Sequence, residues 1–321
     1  MNLILAGQLA GLAFACGLNL YLTVATLGIL SRFGLMPGLP PGLHGLQGWI
    51  VIASAVGLYL VETVIDKVHH ADSLWDTVHT FIRPPAAALL AAAALWGQPT
   101  LTLLAGATLA LGVAFAAHGT KAGLRMSLNA TMHTRWQRWI SALEDGIAAV
   151  FAVVALRFPV PTLAAVGVVL LATAPLAPRL WRAFRMGNRS ITAWLRSIFR
   201  PARWREFDEL PAYVRSLLDD TPLGAAPPRG ARATLHGLEG AGAFRNGWLI
   251  LTAHGPAFVY RSLLGTRRID LPAPRQIRPE PAVWATILRV DGQNDVRYTL
   301  FLLKDGPATD LAIQHLSPAS P

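Results

Sequence analysis

Ionisable side chains recur at helical spacing in an otherwise apolar sequence. One stretch carries two carboxylates, an imidazole and a guanidinium at intervals of four, three and four residues: Asp72, Asp76, His79 and Arg83. This spacing places them on one face of a helix. Such a stripe can handle cations or protons, or organise an anion around Arg83. The alternative is an interfacial helix whose charges are solvated or paired with one another.

Neighbouring segments carry further polar groups of the same kinds. We expect these to join the stripe in a substrate or ion pathway: Asn19, Glu62, Asp66, His118, Lys121, Arg125, Glu144 and Asp145. An ionisable group at the centre of a membrane costs about 2.5–3.5 kcal/mol, so it normally faces a bundle interior or a water-filled cavity. The basic members could neutralise the acidic ones across the bundle. A buried ion-pair network that only fixes helix register explains the same pattern equally well.

Metal and enzyme chemistry are weaker interpretations. Asp72, Asp76 and His79 are possible metal ligands, because hard and borderline donors share one face. The sequence has no His-Glu-x-x-His run, nucleophile elbow or Walker A motif. We therefore expect no cofactor and favour a non-enzyme. The alternative kept open is a metal-dependent membrane enzyme acting on lipid head groups, with His79 as acid and base.

The composition predicts a membrane protein. Hydrophobic residues make up 53% of the 321 residues and charged residues only 14%, whereas soluble domains average about a quarter charged. We predict about six membrane segments, the third and fourth irregular: residues 3–30, 49–65, 84–96, 101–129, 139–156 and 160–180. The first is an uncleaved helix of about 42 Å, long enough to span even with a break near Gly17. The single cysteine, Cys16, excludes an intramolecular disulfide.

Basic residues predict the orientation. With six spans the termini share a side whose loops carry Lys67, Arg135 and Arg138, whereas the opposite loops carry Arg32 and Arg157. This favours a multi-pass membrane protein with both termini cytoplasmic. Residues 179–232 hold 11 Lys and Arg against five Asp and Glu, more than half of the net charge of +10. Arginines and aromatic residues alternate across 179–205, so we expect anionic lipids, and no nucleic acid, as their partner.

Short β-like runs follow a Pro- and Gly-rich linker at 221–230. They cover residues 247–253, 257–261, 267–271, 283–290 and 296–303, with a possible closing helix at 307–316. The expected fold is an all-α polytopic membrane bundle with a small cytoplasmic β-rich C-terminal domain. The expected domains are a membrane helical domain (1–180), a basic juxtamembrane region and linker (181–230) and a β-rich domain (231–321).

A faint internal repeat relates the two halves of the bundle. Residues 15–22 and 117–124 share Ala, Gly and Leu at identical offsets, and each copy places a polar residue, Asn19 or Lys121, after a small-residue break. With three spans per half, the repeat would be inverted. Broken helices at matching positions of inverted repeats point to the site of a transporter.

Four motifs resemble those of an uncharacterised bacterial integral-membrane family, domain of unknown function 4126. They are Gly-Leu-Asn-Leu-Tyr at 17–21, Leu-Val-Glu at 60–62 with Asp-Lys at 66–67, Asp-Ser-Leu-Trp-Asp-Thr-Val-His-Thr-Phe-Ile-Arg-Pro at 72–84 and Gly-Thr-Lys-Ala-Gly-Leu-Arg at 119–125. The resemblance covers about residues 5–175 and implies a polytopic bundle of the bacterial inner (cytoplasmic) membrane, with no established activity. Residues 247–252 and 257–261 are weakly similar to bacterial pleckstrin-homology-like modules.

The sequence thus favours a transporter or permease for a small polar or ionic solute. Besides the metal-dependent enzyme, a non-catalytic lipid-binding membrane scaffold remains an alternative, in which the bundle anchors the β-rich domain. The oligomeric state is left open.

Overall fold

The chain forms two compact units, Met1–Trp181 and Arg182–Pro321. The computed structural model describes residues 2–36, 39–66, 75–76, 78–131, 135–199, 203–218, 227–252, 255–262, 265–281, 285–292, 296–307 and 309–316.

The first unit is helical. Its helices are α1 Leu3–Leu18, α2 Leu20–Arg32, α3 Trp49–Ile65, α4 Arg83–Ala94, α5 Thr100–Thr131, α6 Arg135–Arg157 and α7 Pro159–Thr173, while α8 Ala177–Ser197 crosses the unit boundary. Prolines stand in the first turns of α4 and α7, where the missing N–H breaks no helical hydrogen bond. The predicted segment 49–65 coincides with the helix α3.

Three helices in the described part of the chain are long and apolar enough to cross a membrane. They lie within Thr100–Arg125, Trp139–Arg157 and Pro159–Ser197. A fourth candidate joins the 3₁₀ turn Pro41–Gln47 to Trp49–Ile65 across a bend of 69°. α1 and α2 are apolar but shorter. The prediction of six spans is therefore not confirmed.

The two breaks predicted from the internal repeat differ in outcome. The first segment does break, at Asn19, where the backbone is extended between α1 and α2 (φ −148°, ψ 101°). The corresponding prediction near Gly119 is wrong, because α5 continues without interruption from Thr100 to Thr131. The inverted repeat is not confirmed.

α1 lies inside the first unit and packs against α4, α5, α6 and α7. It is apolar all round, and most of its residues from Gly7 to Leu18 are buried, as expected for a helix surrounded by others. Small residues allow the close contact with α5. A Cβ atom added to Gly17 would lie 2.6 Å from the carbonyl oxygen of Ala114.

The second unit contains an antiparallel sheet. Its described strands are β1 Arg205–Glu206, β2 Arg229–His236, β3 Arg245–Thr252, β4 Gly255–Ser262, β5 Gly265–Asp270, β6 Pro274–Pro281, β7 Ala285–Gly292 and β8 Arg297–Leu303. Their order is β5-β4-β3-β2-β8-β7-β6, with β1 also paired to β2. The short helix α9 Ala212–Arg215 precedes the main sheet, and α10 Thr309–Leu316 follows it.

All five predicted β-runs and the closing helix form, whereas β2 and β6 were not predicted. β2 begins in the predicted linker. β6 contains three prolines, which remove backbone donors and are tolerated on an edge strand; β6 lies at one end of the strand order. Neither β2 nor β6 shows the run of apolar residues by which the other strands were predicted.

Alternating side chains of β3 and β4 enter two different cores. Leu249, Phe258 and Tyr260 pack on one face with residues of α10. Trp248 on the opposite face packs with Val214 of α9. Both faces of the sheet are therefore covered, and this holds the strands that carry the basic residues discussed below.

Candidate functional site

The break at Asn19 brings two helix ends into the interior of the first unit. The buried Asn19 side chain accepts a hydrogen bond through Oδ1 from the backbone N–H of Leu22 (3.0 Å), which caps α2. Its Nδ2 donates to Oδ1 of Asp145 on α6 (2.9 Å). At the other end of the break, α1 leaves carbonyl groups without intrahelical partners.

Arg83 satisfies those carbonyl groups. Its side chain is fully buried at the start of α4. Nη1 donates to the carbonyl oxygens of Leu18 (2.8 Å) and Gly17 (3.3 Å), and Nη2 donates to Oε1 of Glu62 (2.5 Å). A cation at a helix C-terminus is favoured by the helix dipole, so one guanidinium joins the end of α1 to α3.

Lys121 of α5 occupies the same end of α1. Its Nζ donates to the carbonyl oxygen of Leu18 (2.7 Å) and lies 3.6 Å from Oε1 of Glu62 and 3.5 Å from Oε2 of Glu144. The side chain is buried. Lys121, which the internal repeat predicts to follow a break in its own helix, is thus part of the site. The break that it contacts is, however, the one at the end of α1.

Arg125, one turn further along α5, links three carboxylates. It makes a bidentate pair with Asp66 (2.8 Å to each oxygen) and donates to Oε2 of Glu144 (2.9 Å). Nη1 lies 3.6 Å from Oδ2 of Asp76. Ser141 of α6 also donates to Asp66 (2.8 Å). The bidentate geometry fixes α3 against α5.

The two histidines have defined hydrogen-bond roles. Nδ1 of His118 lies 3.2 Å from Nη1 of Arg83, which can only donate, so Nε2 carries the ring proton and faces the carbonyl oxygen of Asp76 (3.0 Å). In His79, Nδ1 faces the carbonyl oxygen of Trp75 (2.8 Å) and Nε2 faces the hydroxyl of Tyr21 (2.9 Å). Both nitrogens of each ring are therefore engaged within the protein.

The described part of the site holds more carboxylates than cations. Five carboxylates meet three cations: Glu62, Asp66, Asp76, Glu144 and Asp145 against Arg83, Lys121 and Arg125. The formal balance is two negative charges. Within the described residues Asp145 has only uncharged donors, Asn19 and Tyr59, the latter at 3.2 Å from Oδ2.

A cavity of about 470 Å³ opens beside these carboxylates. Its polar lining residues are Tyr59, Thr63, Asp66, Ser141 and Asp145, contributed by α3, by α6 and by the cap of α3. Ala142 and Gly146 also line it and are exposed, so the cavity reaches the surface of the unit. Two of the five carboxylates, Asp66 and Asp145, therefore line a cavity that is open at the surface of the unit.

The structure brings together eleven of the twelve predicted pathway residues. The twelfth, Asp72, lies outside the described residues. Among the residues that are described, no group of three or more His, Cys, Asp or Glu is placed to hold a metal ion. The weak metal site on Asp72, Asp76 and His79 stays a prediction.

Sequence reasoning missed four uncharged members of the network: Tyr21, Tyr59, Thr80 and Ser141. A signal for two of them existed. Tyr59 lies three residues before Glu62, and Ser141 lies three residues before Glu144, which places each hydroxyl on the helix face of a predicted carboxylate.

Comparison with known proteins addresses the first unit. Residues 6–179 match the model of the family described as Domain of unknown function (DUF4126). Neither a curated protein nor a solved structure matches the chain. The weak similarity of the second unit to pleckstrin-homology-like modules is not shown and stays a prediction.

Proposed function

The chain belongs to the family described as Domain of unknown function (DUF4126), and because that description assigns no activity, we propose a function from the geometry. We propose that the first unit is a membrane permease for a small polar or ionic solute. The cavity beside Asp145 takes the positively charged group, which is either part of the solute or a coupling cation or proton.

One observation carries this proposal. The broken helix at Asn19 touches Asp145, a carboxylate that has no cationic partner among the described residues and that lines an open cavity. Discontinuous helices in transporters place free backbone groups at the solute and ion sites. A charge retained inside an apolar bundle at a cost of a few kcal/mol is expected to face such a path.

The remaining charges of the network support the site. Arg83, Lys121 and Arg125 already have carboxylate partners, so they hold the helices around the cavity. The engaged ring nitrogens of His79 favour a permease over an enzyme that uses this residue as acid and base. The metal-dependent alternative would need ligands beyond the described residues.

The membrane arrangement is also a proposal. The apolar helices support insertion in a membrane. We propose six crossings, in which α1 and α2 form one broken span and α4 completes its span with the preceding segment. The basic loops then favour a topology with both termini cytoplasmic, and the proposed location is the bacterial inner (cytoplasmic) membrane.

Flux through the reconstituted full-length protein tests the function. Proteoliposomes carrying Na⁺, K⁺ or H⁺ gradients should dissipate at least one of them faster than protein-free vesicles. Asp145→Asn keeps the hydrogen-bonding shape but removes the charge, so it should abolish that flux. Asp208→Asn, at an exposed position of the second unit, should leave it unchanged. Equal flux in wild type and Asp145→Asn, or no cation flux in the wild type, would refute the role given to this cavity.

A further inference from the structure

A second cavity, within the second unit, is lined by guanidinium groups. It has a volume of about 710 Å³ and is formed by residues of α8, β2, β3 and β4 together with the segment around α9. Five arginines line it: Arg185, Arg189 and Arg196 of α8, Arg232 of β2 and Arg261 of β4. None of the described lining residues is acidic. Cations from three separate elements therefore converge on one space.

Little negative charge compensates these groups in the described part of the unit. Asp305 lies 3.9 Å from Nη1 of Arg232, but it also lies 3.7 Å from Nη2 of Arg205. Burial and the neighbouring guanidinium of Arg205 hold the pKa of Arg232 below its usual value, and Asp305 offsets only part of this effect. A bound anion would relieve the repulsion among the arginines.

Aromatic rings help to position the guanidinium groups. Arg205 and Arg232 lie over the ring of Trp248 at 5.3 and 5.7 Å from its centre, and Arg261 lies 5.3 Å from the ring centre of Tyr213. Such contacts reduce the freedom that the side chains lose on binding. A neutral donor is also at hand, since Nδ2 of Asn246 has no acceptor among the described residues.

We propose that this cavity binds a phosphate-bearing anion with two or more negative charges. Arginine pairs with phosphate in a bidentate geometry, and the volume lies in the usual range for sites of small organic ligands. The same chemistry is offered by a soluble polyphosphate and by the headgroup of an anionic phospholipid. The sequence predicts that anionic lipid contacts the arginines of Arg179–Arg205. The proposed site contains three of these arginines, together with Arg232 and Arg261 of the sheet.

Inorganic triphosphate is the first probe, titrated calorimetrically at low salt into the full-length protein in phosphatidylcholine nanodiscs. Arg189→Gln with Arg232→Gln should weaken binding by about tenfold or more, since each substitution removes a charge-assisted hydrogen bond to the anion. Arg261→Gln is the second variant and should weaken binding less, because it removes one guanidinium group from the cavity whereas the double variant removes two. Arg275→Gln removes the same charge at an exposed position outside the cavity and should have no effect.

A second arm separates the two sources of phosphate. If a lipid headgroup occupies the cavity, nanodiscs containing phosphatidylglycerol should lower the affinity of the wild type for triphosphate. Unchanged affinity would assign the cavity to a soluble anion. The proposal is overturned if the wild type does not bind triphosphate in phosphatidylcholine nanodiscs, or if Arg275→Gln weakens binding as much as the cavity variants.

Discussion

The two clusters of charge in this molecule are built on opposite plans. In the first unit, Arg83 and Lys121 are buried, Arg125 is partly buried, and each contacts at least one carboxylate. In the second unit, five arginines line an open cavity without an acidic lining residue in its described part. The first cluster has formal charge of the opposite sign to the second.

This difference follows from solvation. A guanidinium removed from water requires a paired charge and hydrogen bonds for its remaining donors, and the helix break supplies carbonyl oxygens for that purpose. An arginine at an open cavity keeps its hydrogen bonds to water. It therefore needs no carboxylate partner from the protein and stays available to a ligand. Internal pairing therefore indicates a structural role. The two proposed sites lie instead at Asp145, which has no cationic partner among the described residues, and at the arginine cavity, where no described lining residue is acidic.

The largest expected effect tests the internally paired cluster. Arg83→Ala leaves Glu62 with only the longer contact to Lys121 and leaves the carbonyl group of Gly17 without its side-chain donor, while the carbonyl group of Leu18 keeps Lys121. We expect a loss of about 3–5 kcal/mol in the free energy of unfolding, the range for breaking a buried pair. A detergent denaturation titration of the full-length protein followed by circular dichroism measures it.

Two further variants check the cause. Adding Glu62→Gln to Arg83→Ala should recover part of the loss, because the unpaired buried charge is then removed. Arg157→Ala, at an exposed position at the end of α6, should stay within about 0.5 kcal/mol of the wild type. A small effect of Arg83→Ala would show that water reaches this cluster, and the comparison drawn above would fail.

Much of the architecture could be predicted because its signals are local. The apolar run at 49–65, flanked by Gly48 and by Asp66, coincides with α3, and the alternating runs of the second unit coincide with β3, β4, β5, β7 and β8. The convergence of Asn19 with the ionisable residues was predicted from helix periodicity together with the cost of burying charge. The family assignment from the four motifs is confirmed.

The pairing within the clusters could not be predicted, since it depends on tertiary packing. The sequence places Arg83 on one helix face with Asp76. In the folded unit, Arg83 instead forms an ion pair with Glu62, and Asp76 pairs with Arg125. The arginine cavity needed β2, which has no clear strand pattern in sequence. From the sequence alone, the alternating arginines and aromatic residues of α8 therefore predicted contact with a lipid surface and no cavity.

An intermediate effect tests how closely α1 must pack for Arg83 to reach its carbonyl groups. A Cβ atom at Gly17 would lie 2.6 Å from the carbonyl oxygen of Ala114, so Gly17→Ala must separate α1 from α5. We expect a loss of about 1–3 kcal/mol, as for other overpacked cores. Gly112→Ala in α5, whose Cβ would meet no atom within 4 Å, should be neutral or slightly stabilising because alanine favours the helix. Equal results for the two variants in the same titration would mean that this contact does not position Arg83.

The smallest expected effect isolates burial as the variable. Arg289 and Glu280 of neighbouring strands form an ion pair at 2.7 Å, close to the 2.5 Å between Arg83 and Glu62, but their side chains are 44% and 48% exposed. Because water solvates both groups when the pair is broken, Arg289→Ala should cost only about 0–1 kcal/mol. Adding salt should reduce even this difference, since exposed pairs are screened and buried ones much less so. The same substitution at similar contact distance thus compares two environments, and a loss at Arg289 that matches the loss at Arg83 would show that contact distance, and not solvation, governs the charged pairs of this protein.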